Sequence, residues 1–91
     1  MIESSIERAV TKYAKKWGVP FVKLDPTHQK GIPDRMGVFR NGVVVFFELK
    51  TPTGRLSFHQ ILWRKRLMDA GHQYHVVTSV KQGKDLIDAY V

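Results

Sequence analysis

The sequence predicts an α/β sandwich, a small mixed sheet flanked by helices in the order α-β-β-β-α-β-α. Three observations carry that expectation. The first segment repeats its apolar residues on one helix face. Two apolar runs then flank Asn41-Gly42, a strong hairpin signal. A second helix is announced by several start signals around Ser57.

Taken in order, Ile6, Ala9, Val10, Tyr13, Ala14 and Trp17 follow the i, i+3, i+4, i+7 spacing of an amphipathic helix. Ser4 is placed to cap it, and Gly18 with Pro20 to end it. Phe21 to Leu24 reads as a short strand, and Asp25 to Pro33 as a polar loop. Met36 to Phe39 and Val43 to Leu49 form the hairpin. Two registers are open. A two-residue turn pairs Arg40 with Val43; a three-residue loop, Arg40-Asn41-Gly42 with a left-handed glycine, pairs Phe39 with Val43. Ser57 and Gln60 make a capping box, Leu56 and Ile61 a hydrophobic staple, and Gly71 suits the end of that helix. Tyr74 to Thr78 reads as a strand, and the segment around Leu86, Ile87 and Tyr90 as a last short helix.

A chain of 91 residues holds one domain, 1–91, with one modest core. A deep cleft is hard to build from so little, so an active site is expected on an open face or completed by another molecule. Hydrophobic residues at 43% and charged residues at 25% exclude disorder. With Cys 0, disulfide scaffolds, thiolate zinc sites and cysteine nucleophiles are excluded. No apolar run spans a bilayer, and the first residues lack the pattern of a signal peptide, so a cytoplasmic protein without membrane contact is expected. Fifteen Lys+Arg against eight Asp+Glu leave a charge of +7, which suggests a polyanionic partner, nucleic acid foremost; simple solubility is the plainer account.

Glu48 is the anomaly. It ends Val43-Val44-Val45-Phe46-Phe47, a run apolar enough to be a buried central strand. A carboxylate there is costly unless compensated. Side chains two apart on a strand share a face, so Lys50 points the same way as Glu48, and a buried ion pair would be the plain explanation. Asp34 offers another. In the three-residue-loop register Asp34 lies opposite Glu48 on the same face; in the two-residue register it does not. Two neighbouring carboxylates repel, and a hard divalent cation between them relieves that repulsion. The functional reading therefore predicts a backbone detail: Gly42 at positive φ, closing a three-residue loop. Two carboxylates with Mg²⁺ or Mn²⁺ would polarise a phosphoryl oxygen and activate water, and Lys50 would stabilise developing negative charge or orient the attacking water. The substrate class that suits a cation, an ammonium and a +7 domain is a phosphodiester.

Pro33-Asp34 followed by Glu48-Leu49-Lys50 matches the PD-(D/E)xK nuclease signature. The wider set, Gly31-Ile32-Pro33-Asp34-Arg35, Phe47-Glu48-Leu49-Lys50-Thr51-Pro52, Gly54-Arg55-Leu56-Ser57 and Gln60, resembles the VRR-NUC family of virus-type replication-repair nucleases. The resemblance runs from about Glu3 to Val77. It implies a restriction-endonuclease-like core and metal-dependent cleavage of DNA. Small stand-alone members are similar to Holliday-junction resolvases and act as homodimers, whereas members fused into repair proteins prefer flap-like ends; this chain, with no fused domain in view, is expected in the first group. A flap endonuclease or exonuclease, or a non-catalytic basic DNA-binding protein, are the alternatives. No small-molecule cofactor is expected.

The family also uses a first-helix glutamate. Glu7 is preferred as that ligand, with Glu3 the alternative. The expected metal set is then Asp34, Glu48, Glu7 and the Leu49 carbonyl. Gln60 matches a family glutamine, although the capping box would also account for it. Lys23, Lys30, Arg35, Arg55 and His28 are the expected DNA contacts, or else solvated surface groups. On the Ser57 helix, Phe58, Ile61, Leu62 and Met68 are expected to face the sheet, leaving Trp63, Leu67 and Ala70 for a homodimer contact, unless the last helix covers them within one subunit.

Overall fold

The structure is a computed structural model that describes residues 2–91. Helix α1 (Glu3–Lys16) buries Ile6, Val10 and Ala14, the stripe its spacing prescribes. Its start differs from expectation. The extended Ile2 is the cap residue and no side chain caps the helix; the amides of Ser5 and Ile6 donate to the Ile2 carbonyl instead. Ser4 therefore lies inside the first turn, two residues past the cap position. Gly18, at φ 70, turns the chain out of the helix into β1 (Phe21–Lys23).

Strands β2 (Arg35–Val38), β3 (Val44–Leu49) and β4 (Gln73–Val77) complete a sheet of order β1-β2-β3-β4. The first two pairings are antiparallel; β3 and β4 are parallel, joined by α2 (Phe58–Asp69). Helix α3 (Val80–Tyr90) closes the chain. No described helix is long and apolar enough to cross a membrane.

The hairpin adopts the three-residue register. Val38 pairs with Val44 and Arg35 with Phe47, and the Phe39 amide donates to the Val43 carbonyl at 2.8 Å. Gly42 sits at φ 73, as that loop requires, and Asn41 at φ 61 is left-handed too, a conformation asparagine tolerates better than most residues.

Alternation then divides β3. Val45, Phe47 and Leu49 point into the core with Ile6, Val10, Ala14, Val77 and Ile87. Helices α1 and α3 pack closely over that face: a Cβ on Gly83 would collide with the Val10 methyls. Val44, Phe46 and Glu48 point to the other face, on α2's side of the sheet.

Helix α2 starts and stops as its sequence demands. The Ser57 hydroxyl accepts from the Gln60 amide, the Gln60 side chain accepts from the Ser57 amide, and Gly71 at φ 88 ends the helix. Its rotation reverses the expectation. Leu67 is the buried residue, whereas Phe58 is 73% exposed and Ile61 and Met68 are exposed as well. Gln60 reaches Glu48, and Leu67, seven positions on, lies on the same face. That contact and the short crossover set the rotation, because apolar residues surround the helix and select no face. Leu67 is thus unavailable as a dimer contact; Trp63 is half-buried with the Arg66 guanidinium over its ring, and Ala70 is an exposed cap residue.

Candidate active site

The site is assembled at the Asp34 end of the hairpin. Gly31 holds φ 85, and a Cβ there would collide with the His59 backbone. Only glycine lets the loop before β2 lie against the first turn of α2. Pro33 is fully buried and fixes the approach to Asp34. Extending the register one pair beyond Arg35 and Phe47 sets Asp34 opposite Glu48. Asp34 Oδ2 accepts the Leu49 amide at 2.8 Å, so this carboxylate is anchored to the backbone of the strand that carries Glu48.

Glu48 is 1% exposed and is the buried charged residue of the described chain. Its Oε2 accepts from the Gln60 side-chain amide at 3.2 Å; its Oε1 has no partner. Burial pushes its carboxyl up to about 9, and the neighbouring Asp34 carboxyl adds to the shift; Lys50 opposes it, and Glu3 reinforces it. Glu48 makes no salt bridge with Lys50 among the described residues, so the plain Glu48–Lys50 ion pair does not account for its burial.

The first-helix carboxylates separate. Glu7 Oε2 accepts from Arg35 Nε at 2.7 Å, whereas the charge of Glu3 acts on Glu48. The preferred acid, Glu7, is thus paired with Arg35, and the exposed Glu3 contributes the smallest of the charges felt by Glu48. Arg35 is equally committed: besides Glu7 it donates to the Phe21 carbonyl at 3.1 Å and stacks on the Phe21 ring. It is a structural tie between α1, β1 and β2 rather than a free phosphate ligand. Lys23, at the end of β1, and Lys30, Arg55 and His28, in loops, are exposed. Gln60 is a capping-box member and its side chain also donates to Glu48.

Among the described residues no group of three His, Cys, Asp or Glu side chains is gathered as a metal centre. The acidic set is a pair, Asp34 and Glu48, with Glu3 adding charge from α1. The pair nonetheless fits a hard divalent cation: both donors are carboxylate oxygens, they meet in an apolar setting, and one oxygen is buried without a partner. Sequence reading missed one group on this face, Tyr74, which is 8% exposed with its hydroxyl unpartnered. Periodicity marked it only as a strand residue.

A four-stranded mixed sheet with opposed carboxylates, a neighbouring lysine and a helical glutamine defines a nuclease-type domain. Comparison with known proteins agrees. A solved structure described as a VRR_NUC domain matches with a TM-score of 0.85 at 27% identity, over 98% of this chain and 97% of that one. "Putative nuclease p44" of Acyrthosiphon pisum secondary endosymbiont phage 1 is 32% identical over 77 residues, 85% of this chain and 83% of the relative. No protein-family model matches the chain. The chain belongs to the VRR-NUC family, and it is a nuclease domain of hydrolytic type.

Proposed function

We propose that this domain is a metal-dependent, structure-selective endodeoxyribonuclease that hydrolyses phosphodiesters in branched DNA, four-way junctions foremost, and that it works as a homodimer. The observation that carries the reading is Glu48: a carboxyl buried at 1% exposure against a second carboxyl, with one oxygen unpartnered. A core position has no use for such a group. A cation-binding position does.

Asp34, Glu48 and the Leu49 carbonyl would hold Mg²⁺ or Mn²⁺, with Glu3 rather than Glu7 as the carboxylate from α1. The bound ion supplies Lewis-acid polarisation of the phosphoryl oxygen and activation of water. The protein's own groups do the rest. Asp34 is fixed by the Leu49 amide, and Glu48 by Gln60. Lys50, two residues beyond Glu48 on the same face, orients the nucleophile or meets the charge that develops on the phosphorane-like transition state. Lys23, Lys30 and Arg55, with His28, contact phosphates, so binding weakens steeply with salt.

The homodimer moves to a different surface from the one the sequence suggests. Phe58, Ile61 and Met68 form the exposed apolar arc of α2, and a second copy related by a two-fold axis would cover it and present two sites to two strands.

The deciding experiment incubates the protein with four-way junction, flap and linear DNA in Mg²⁺ or Mn²⁺, with and without chelator. Junction cutting that the chelator stops, and that Asp34→Ala or Lys50→Ala abolishes while DNA binding persists, is expected. Cutting by either variant, or none by the parent protein, would overturn the assignment; preference for the flap would move it to the flap nucleases. Light scattering showing a monomer at micromolar concentration would remove the dimer.

A further inference from the structure

Two buried side-chain polar atoms lack a hydrogen-bond partner among the described residues: Glu48 Oε1 and the Tyr74 hydroxyl. They belong to one place. Phe46 pairs with Tyr74 and Glu48 with Val76, so Tyr74 sits one pleat from Glu48's neighbour and on the same face of the sheet. The charges of Glu48, Arg64 and Asp34 all act on the phenol. A phenylalanine would fill the same volume without burying an unsatisfied hydroxyl, which a folded protein ordinarily avoids. A phenol is neutral at any pH at which the domain works, so the group is available as a donor. The two atoms make no bond to each other in the structure, yet one is a donor and the other an acceptor, and both are left open on one face of the sheet.

We propose that Tyr74 is a positioning residue of the metal site: its hydroxyl, unpaired in the structure, turns to donate to the Glu48 carboxylate once the ion holds that group in its charged form, while the Gln60 amide holds Oε2. Gln60 comes from α2 and Tyr74 from β4, so the two donors join the two elements of the crossover around one carboxylate. The inference rests on the metal-dependent reading of the site. Outer donors of this kind orient a ligand and hold its charge, and losing one weakens metal affinity by about 10–100-fold.

The test compares the intact chain with its Tyr74→Phe variant by calorimetric titration with Mn²⁺, by metal-free thermal unfolding, and by junction cleavage. The expected result is Mn²⁺ binding weakened by about tenfold or more and kcat lowered with little change in KM for DNA. The metal-free melting temperature stays equal or rises, because an unpaired buried hydroxyl has been removed. Equal Mn²⁺ affinity in the two proteins would overturn the role of Tyr74 and leave the metal site standing. A melting temperature that falls together with the affinity would assign the hydroxyl to folding and overturn it as well. Failure of the parent protein to bind Mn²⁺ would overturn both the metal-site reading and this one.

Discussion

The two faces of the sheet are built on opposite terms. The face under α1 and α3 is closed: Ile6, Val10, Phe47, Leu49, Val77 and Ile87 meet there with no polar side chain among them. The face under α2 holds Glu48, Tyr74 and their unpartnered atoms, two residues from a lysine, and its helix leaves Phe58 and Met68 in the open. In a domain of 91 residues the first face has to supply most of the stability that the second gives up. Fold and chemistry are divided by the pleat of a single strand, β3, whose alternate residues serve one or the other.

The largest expected effect lies on the closed face. Phe47 is fully buried and stacks against Phe21 with ring centroids 5.1 Å apart. Phe47→Ala removes that packing and leaves a cavity, at a cost of about 3–5 kcal/mol. Thermal unfolding should show a melting temperature lower by roughly 15–30 °C, or no cooperative transition. A small loss would mean that the closed face does not carry the domain.

On the open face the sign should reverse. Glu48→Gln removes a carboxyl that burial and Asp34 make costly to ionise, and it should raise metal-free stability by about 1–3 kcal/mol while abolishing cleavage. The pH dependence sharpens the contrast. The folded protein keeps the Glu48 proton up to about 9, whereas the unfolded chain releases it near the ordinary value of 4.5. Across that window the unfolded state binds fewer protons, so the stability contributed by this group is full below 4.5 and is lost as pH rises toward 9. The parent protein should lose melting temperature across this range and Glu48→Gln should not. Added Mn²⁺ should stabilise the parent more at pH 8 than at pH 6, because the ion takes the place of the proton. A parent protein that loses no more melting temperature with rising pH than the variant would show that Glu48 is not strained.

Between the two faces lies the α2 cap, where the effect is smaller. Ser57→Ala deletes the acceptor of the Gln60 amide at 3.2 Å and should cost about 1 kcal/mol, read by denaturant or thermal unfolding. Gln60 would still accept the Ser57 amide and still reach Glu48, so cleavage should survive. Loss of cleavage at unchanged stability would tie the cap to the site more tightly than the structure does.

How much of this was legible in the sequence follows the same division. The hairpin register could be read because Asn41-Gly42 admits few loops and because Asp34 and Glu48 make sense together in one of them only. The capping box at Ser57 and the stops at Gly18 and Gly71 are local rules that tertiary contacts leave alone. The rotation of α2 was not legible: Phe58, Ile61, Leu62, Trp63, Leu67 and Met68 surround the helix, and the choice among them is made by Gln60 docking on Glu48. The choice between Glu3 and Glu7 was not legible either. Both flank the apolar stripe of α1, and the tie from Glu7 to Arg35, far away in sequence, cannot be read from that stripe. Ser4 looked like a cap because serine favours that position; the helix starts earlier, and the structure gives no evident reason why Ile2 takes the place.

The smallest expected effect concerns His75, which lies at the edge of the closed face. Its Nε2 is 2.7 Å from the Tyr90 hydroxyl, which in turn donates to Gln73 at 3.1 Å, and burial holds the imidazole below its ordinary value of 6.5. The fold therefore favours the neutral ring. The unfolded chain takes up a proton first as pH falls, so the stability contributed by His75 is full above 6.5 and is lost below it. Glu48 drives stability the other way over the same pH range, which would mask the histidine in the parent protein. The measurement belongs in a Glu48→Gln background, where melting temperature should fall as pH drops from 7 toward 5.5, and where adding His75→Gln should flatten that fall. A fall that persists in the double variant would place the acid sensitivity elsewhere, and the closed face would then hold no titrating group that matters to its stability.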